Sequence, residues 1–259
     1  MNDLKVLSLN IWFEDIMEDQ RIQSLINLIK YNDIDIICLQ EVKPNIYKKL
    51  TENLPKYYSY PKNISYHYGN VIFSKYKISK CLTVPFTTSK MGRNLIFAKI
   101  DIPHICGDGC VKKIEILVCT SHFESEFKKN IKNIEKLKQY EETFELLSKF
   151  SFNYKNIIFC SDTNILNNEE EYFDKFTDAN FIDSWKVHGN SNNKFTYDSY
   201  CNTYLQLKNP KFRSRLDRIL FNCKNLQIID FILVKNFDSN IIEISDHFGV
   251  LTKFEINLT

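Results

Sequence analysis

Short runs such as "IICL", "NIIFC" and "NVIF" are apolar at almost every position, with no polar residue at alternate sites to mark a solvent face. Successive side chains of a strand point to opposite sides, so runs of this kind must be covered on both faces. Strand candidates recur along the whole chain: "LKVLSLNI", "DIDIICLQ", "GNVIFS", "LIFAKIDI", "KIEILVCTS", "NIIFCS", "RLDRILF", "IIDFILV" and "GVLTKFEI". Between some of them the period changes. Ile22, Leu25, Ile26 and Ile29 fall on one helical face, and Pro44 opens a second helical segment carrying Ile46, Tyr47, Leu50 and Leu54. A charged stretch from about residue 126 to 150, with Ile131, Ile134, Leu137, Phe144 and Leu147, reads as a surface helix. Many doubly covered strands and few helices predict an α/β chain of two packed, mostly antiparallel sheets flanked by helices. The 259 residues can bury a large core, and with only six glycines and six prolines there is no repeat or linker at which to divide them. One domain over 1–259 is expected.

Lys plus Arg exceed Asp plus Glu by 34 − 32 = 2. So small an excess gives no global field to hold a polyanion, and any nucleic acid must be gripped by local groups. The apolar run in "MNDLKVLSLNIW" is too short for a signal peptide or a membrane span, and no later run approaches ~20 apolar residues. An intracellular address, nucleus or cytoplasm, is the expectation. The eight cysteines are then expected as reduced thiols, those in apolar strands packing as small hydrophobes. "HICGDGC" offers His104, Cys106 and Cys110 as zinc ligands, but three ligands without a fourth favour a turn between two alternating strands.

The polar residues fall at strand ends. "LKVLSLN" ends on Asn10, "DIDIICLQE" on Glu41, "IEILVCTSH" on His122, and "NIIFCSDTN" on Asp162 and Asn164. Asp217 lies within "RSRLDRILF", and the adjacent Asp246 and His247 precede the last strand, where the pleat does not yet send them to opposite faces. Singly, each is an ordinary turn former or structural histidine. Together, acids, amides and two histidines are the kit of a hard-metal site that handles phosphate. Glu41 is the leading carboxylate for Mg²⁺, with Asp246 beside it. Asp162 can orient and deprotonate a water, Asn164 can fix its geometry, and His122 and His247 can donate to phosphoryl oxygens, with Asp217 steadying His247.

At these positions the chain resembles the endonuclease/exonuclease/phosphatase superfamily of Mg²⁺-dependent phosphodiesterases. The motifs "SLN", "ICLQEV", "CTSHFES", "SDTN", "RLDRILF" and "ISDHFG" stand in the superfamily's order over nearly the whole chain. The resemblance implies a four-layer αββα sandwich, catalytic roles for Asn10, Glu41, Asp162 and His247, and a phosphate contact from His122. Within the superfamily, "VPFTTSKMGRNL", "VCTSHFES", "FIDSW", "FTYDS" and "SDHFGV" are most similar to the branch that releases tyrosine from DNA 5′ phosphates, the adduct of a trapped type II topoisomerase, in DNA repair. That likeness implies Mg²⁺, with Mn²⁺ able to substitute, and substrate contacts from Arg93, Ser125, Trp185 and Tyr197. It also implies a partner that is a single-stranded or frayed DNA 5′ end carrying a tyrosine or peptide, or a tyrosyl-linked RNA, with the protein acting as a monomer away from membranes. Two departures stand out: Ser161 occupies the usual glycine before D-x-N, and Tyr197 the usual tryptophan.

Arg213, Arg215 and Arg218 around Asp217 are candidates for backbone phosphates, against the plain alternative of solvated surface charge. Competing functions are a broader phosphodiesterase or nuclease, such as an abasic-site endonuclease, and a catalytically silent nucleic-acid-binding module. The filled set of catalytic positions speaks against the last.

Overall fold

The computed structural model describes residues 3–105, 109–125, 133–171, 180–236 and 242–257. Two six-stranded sheets stack face to face. The first has the order β13-β14-β1-β2-β4-β3, with β1 Asp3–Asn10, β2 Ile36–Val42, β3 Tyr58–Tyr60, β4 Gly69–Ser74, β13 Leu226–Val234 and β14 Gly249–Ile256. The second has the order β5-β6-β7-β8-β12-β9, with β5 Ile78–Pro85, β6 Asn94–Ile105, β7 Val111–His122, β8 Asn156–Asp162, β9 Ile182–Asp183 and β12 Asp217–Cys223. A two-stranded ribbon, β10 Tyr197–Asp198 and β11 Arg213–Ser214, stands apart from both. Among the described residues only β1/β2 and β7/β8 pair in parallel.

The doubly apolar runs explain the layers. In β1, Leu4 and Val6 enter the core between the sheets, while Leu7 and Leu9 face the outer cluster with α1 (Glu18–Asn32) and α2 (Pro44–Asn53). In β8, Ile158 and Cys160 enter the inter-sheet core, and Ile157 and Phe159 face Tyr140 and Leu147 of α3 (Ile134–Ser151). Helix, sheet, sheet and helix layers follow from period-two strands whose two faces are both apolar.

All nine strand candidates are strands, and the helices predicted from Ile22 and Pro44 form as expected. The third helix begins at Ile134, where Asn133 accepts the Lys136 N–H as its N-cap; residues 126–132 lie outside the described residues. Strands β3, β5, β9, β10 and β11 had no candidate; four are only two or three residues long, and β5 is an exposed edge, "ISKCLTVP", where lysine and proline suit an edge but dilute the strand signal. The segment at "HICGDGC" joins β6 to β7, whose last pair is Ile105 opposite Val111. Cys106 lies outside the described residues and Cys110 is exposed; all seven described cysteines are free thiols. Among the described residues no helix is long and apolar enough to cross a membrane.

Candidate active site

Parallel pairing places the polar strand ends on one rim. Asn10 lies opposite Gln40 where β1 and β2 end, His122 opposite Asp162 where β7 and β8 end, and Asp217 opposite Asp162 where antiparallel β12 begins. The ladder of β2 with β4 shifts register between Leu39 and Val42, and Glu41 sits there with φ +60°. Such a bulge re-aims a side chain at a local backbone cost of about 1 kcal/mol or more. It turns Glu41 toward the rim, where its Oε1 lies 3.9 Å from His122 Nδ1 and its Oε2 accepts the Phe13 N–H at 3.0 Å. Asp246 and His247 precede Gly249 and form no part of the regular strand, so both serve one site.

Asp162 is the hub. Its Oδ2 accepts from Asn10 Nδ2 at 3.0 Å and lies 3.2 Å from His122 Nε2, its Oδ1 accepts the Asn164 N–H at 3.0 Å, and His247 Nε2 stands 3.9 Å away. Burial opposes its charge, but the two imidazoles and the Asn10 and Asn164 donors outweigh it and hold the carboxyl below its ordinary pKa. Asp162 is therefore held as a carboxylate.

The two histidines are set differently. Arg93 NH1 donates to His122 Nδ1 at 2.7 Å. A guanidinium cannot accept, so His122 carries its proton on Nε2, facing Asp162. Burial, with Arg93 next in weight, pushes the His122 pKa well down, and the ring is neutral. His247 Nδ1 donates to Asp217 Oδ2 at 2.8 Å. Burial works against a charge there too, yet Asp217 and Asp162 raise the His247 pKa well above its ordinary value. His247 is an imidazolium whose Nε2–H faces the centre of the site.

Glu41 and Asp246 fit a hard cation. Burial raises Glu41 to about pKa 7, offset in part by the Phe13 N–H and reinforced by Asp246; burial likewise raises Asp246 against the pull of His247 and Lys208. Two buried carboxylates that repel each other suit an oxygen-liganded divalent ion. Asp162, Asp217 and His247 also bring ligand atoms within 4.8 Å of one another. There the imidazolium already supplies the positive charge, so the Glu41–Asp246 side is the better fit.

Several supporting groups escaped sequence reasoning. Ser245 Oγ donates to the Asn10 carbonyl at 2.6 Å and accepts the His247 N–H at 3.1 Å, tying β1 to the Asp246–His247 segment. Thr196 Oγ1 accepts the N–H groups of Leu216 and Asp217. Arg21, fully buried, donates to the carbonyls of Ile11, Trp12, Glu14, Ile16 and Ile244, gathering the loop that carries Phe13. An arginine set beside the apolar helical face of "RIQSLINLI" was the available signal for it.

The substrate candidates separate. Tyr197 stands edge-on to His247 with centroids 5.1 Å apart, packs on Phe212, and bonds through its hydroxyl to Lys208. Arg93 is buried against His122 and Tyr68, and Ser125 contacts Met91. Trp185 lies away from the catalytic cluster, between Arg215 and Lys194. Arg215 and Arg218 are not phosphate contacts as expected: both are buried and bonded to Asp183, with Glu170 completing the network. Two arginines beside two acids form an internally neutral cluster behind Asp217. Ser161 Oγ bonds the Ser121 carbonyl at 2.9 Å and joins the two strand ends where a glycine is usual.

The model of the endonuclease/exonuclease/phosphatase family matches residues 7–247. The chain belongs to this family. No curated protein sequence matches it, but solved structures do. A D. rerio TDP2 structure in complex with single-strand DNA product has a TM-score of 0.81 at 20% identity over 98% of this chain and 99% of that one. TDP2 from C. elegans gives 0.80 at 20% identity over 98% and 75%, and an endonuclease/exonuclease/phosphatase from Bacteroides vulgatus 0.73 at 14% over 99% and 100%. These likenesses confirm the sandwich fold. As a member of the endonuclease/exonuclease/phosphatase family with this rim intact, the protein is a metal-dependent phosphodiesterase-type hydrolase.

Proposed function

We propose that the protein is a Mg²⁺-dependent 5′-tyrosyl-DNA phosphodiesterase that releases tyrosine and leaves a 5′ phosphate, a DNA-repair reaction. The observation that carries this reading is the placing of Tyr197 against the His247 imidazolium at the mouth of the site, an aromatic wall beside the group that meets phosphate. The TDP2 structures that share the fold, one of them bound to single-strand DNA product, add support.

Asp162, held in place by Asn10 Nδ2 and the Asn164 N–H, takes the proton of a water attacking in line with phosphorus. The His247 Nε2–H meets the phosphoryl oxygens as charge grows on them, while Asp217 keeps the ring charged and oriented. His122, with its tautomer fixed by Arg93, holds Asp162 in place and offers a neutral donor. Glu41 and Asp246 would hold Mg²⁺, which supplies charge neutralisation at a phosphate oxygen when bound. No separate general acid is needed, because a phenol of pKa ≈ 10 leaves far more readily than a sugar alcohol.

The test is free tyrosine released from a single-stranded oligonucleotide with a 5′ phosphotyrosyl end, beside 3′ phosphotyrosyl and abasic-site controls. Selective 5′ release, abolished by EDTA and by Asp162→Asn, is expected. Cleavage of the abasic control without 5′ release would replace this substrate with that of a broader nuclease.

A further inference from the structure

From Trp185 to Tyr200, aromatic rings and cations alternate in an unbroken row. The Arg215 guanidinium lies 4.7 Å from the Trp185 ring, and Lys194 Nζ lies 5.5 Å from both Trp185 and Phe195. Arg213 continues the row, 4.5 Å from Phe195 and 5.5 Å from Tyr200. The row starts at buried Arg215 and ends in solvent, where Tyr200 is 60% exposed. A surface depression lined by Trp185, Lys186, Lys194, Phe195 and Arg215, with Asn167 and the Arg215-paired Glu170 on its wall, opens along it.

The ribbon of β10 and β11 aims this row at the active site. Thr196 and Asp198 are buried, so Phe195 and Tyr197, two residues apart, share the opposite and more open face. Tyr197 reaches His247, which makes it the near end of the same surface. Neither Lys194 nor Arg213 has a carboxylate partner among the described residues, whereas Arg215 is neutralised by Asp183 and Glu170. On a chain whose net charge is only +2, two uncompensated cations interleaved with three rings are a local match for one kind of polymer: a strand with an anionic backbone and flat bases.

Resting on the phosphodiesterase reading above, we propose that the Trp185–Lys194–Phe195–Arg213–Tyr200 row is a binding track for the single-stranded nucleic acid that continues 3′ of the processed phosphate. Lys194 and Arg213 face backbone phosphates, and the Tyr200 ring and the Arg213 guanidinium plane offer stacking surfaces to bases. The track lengthens the footprint to several nucleotides, so a longer strand is held more tightly than a dinucleotide.

The experiment compares wild type with Lys194→Glu/Arg213→Glu, using 5′ phosphotyrosyl oligothymidylates of two, six and twelve nucleotides and the matching oligouridylates. In wild type KM falls by about tenfold from the shortest to the longest strand, the size of a single base stack. The charge-reversed protein loses most of that gain, and its log–log salt slope is shallower by about 1.4, for two phosphate contacts at ~0.7 each on a single strand. Whichever sugar series shows the length effect identifies the polymer. A double variant with the wild-type length dependence and salt slope overturns the track. Fluorescence anisotropy of twelve-nucleotide strands bearing only a 5′ phosphate separates this from failure of the parent reading. If wild type releases no tyrosine at any length, the functional reading fails, while lost strand affinity in the variant still supports the track and retained affinity overturns it. Should the double variant misfold, Tyr200→Ser at the exposed end tests the length dependence, which it should weaken with the salt slope unchanged; an unchanged length dependence overturns the track.

Discussion

Replacing Glu41 by glutamine should make the metal-free protein more stable while removing its response to Mg²⁺. The carboxyl is raised from 4.5 to about 7 in the fold, chiefly by burial. Below pH 4.5 the group is protonated in both folded and unfolded chains and costs nothing. Between 4.5 and 7 the unfolded chain releases a proton that the folded one keeps, so stability falls as pH rises, and above 7 the loss is complete. A shift of this size corresponds to up to roughly 3 kcal/mol. Glutamine keeps the shape and an oxygen for the Phe13 N–H, and it ends the repulsion with Asp246. At ~2–4 °C per kcal/mol for a chain of this order, Tm in EDTA at pH 8 should rise by roughly 5–10 °C. Melting curves of both proteins from pH 4 to 8, with EDTA or with Mg²⁺, test this. The gap between variant and wild type should be near zero at pH 4 and open between 4.5 and 7, and Mg²⁺ should raise Tm only in wild type. A gap independent of pH, or a less stable Glu41→Gln protein at pH 8, would refute the reasoning.

Asp217→Asn removes the main charge that raises the His247 pKa, so the imidazolium should be lost at lower pH. The alkaline limb of kcat/KM against pH should move to lower pH, with activity recovering toward pH 6; an unmoved limb would remove His247 from the charged role. Arg93→Met frees His122 Nδ1 to take the proton, and kcat should fall roughly 10–100-fold, the range seen when partners of functional histidines are removed, with KM less affected. Arg215→Met leaves the buried Asp183 carboxylate with only the longer, 3.4 Å contact to Arg218 and should destabilise the fold by about 3 kcal/mol, read by urea unfolding. An Arg215→Met protein as stable as wild type would mean that the cluster behind Asp217 does not depend on that pairing.

The doubly apolar strands and the order of polar strand ends were local facts, and they carried the architecture and the identity of the rim. Period-two burial has few solutions once both faces of a strand are hydrophobic, which is why Leu4 and Leu7 could be assigned to different layers without coordinates. Edge strand β5 was hard to see for the converse reason: an edge is one-sided and tolerates polar residues.

Charge state and partnership were decided by tertiary structure. Nothing local distinguishes His122 from His247, yet one accepts a hydrogen bond from Arg93 and stays neutral while the other lies between carboxylates and is charged. Nor does "FRSRLDR" show that Arg215 and Arg218 turn inward to Asp183 while Arg213 remains outside. The sequence by itself determined which chemical groups the rim contains, because strand periodicity is written in neighbouring residues. Which of them carry charge depended on desolvation and on partners far along the chain, and those exist only once the two sheets have closed on each other.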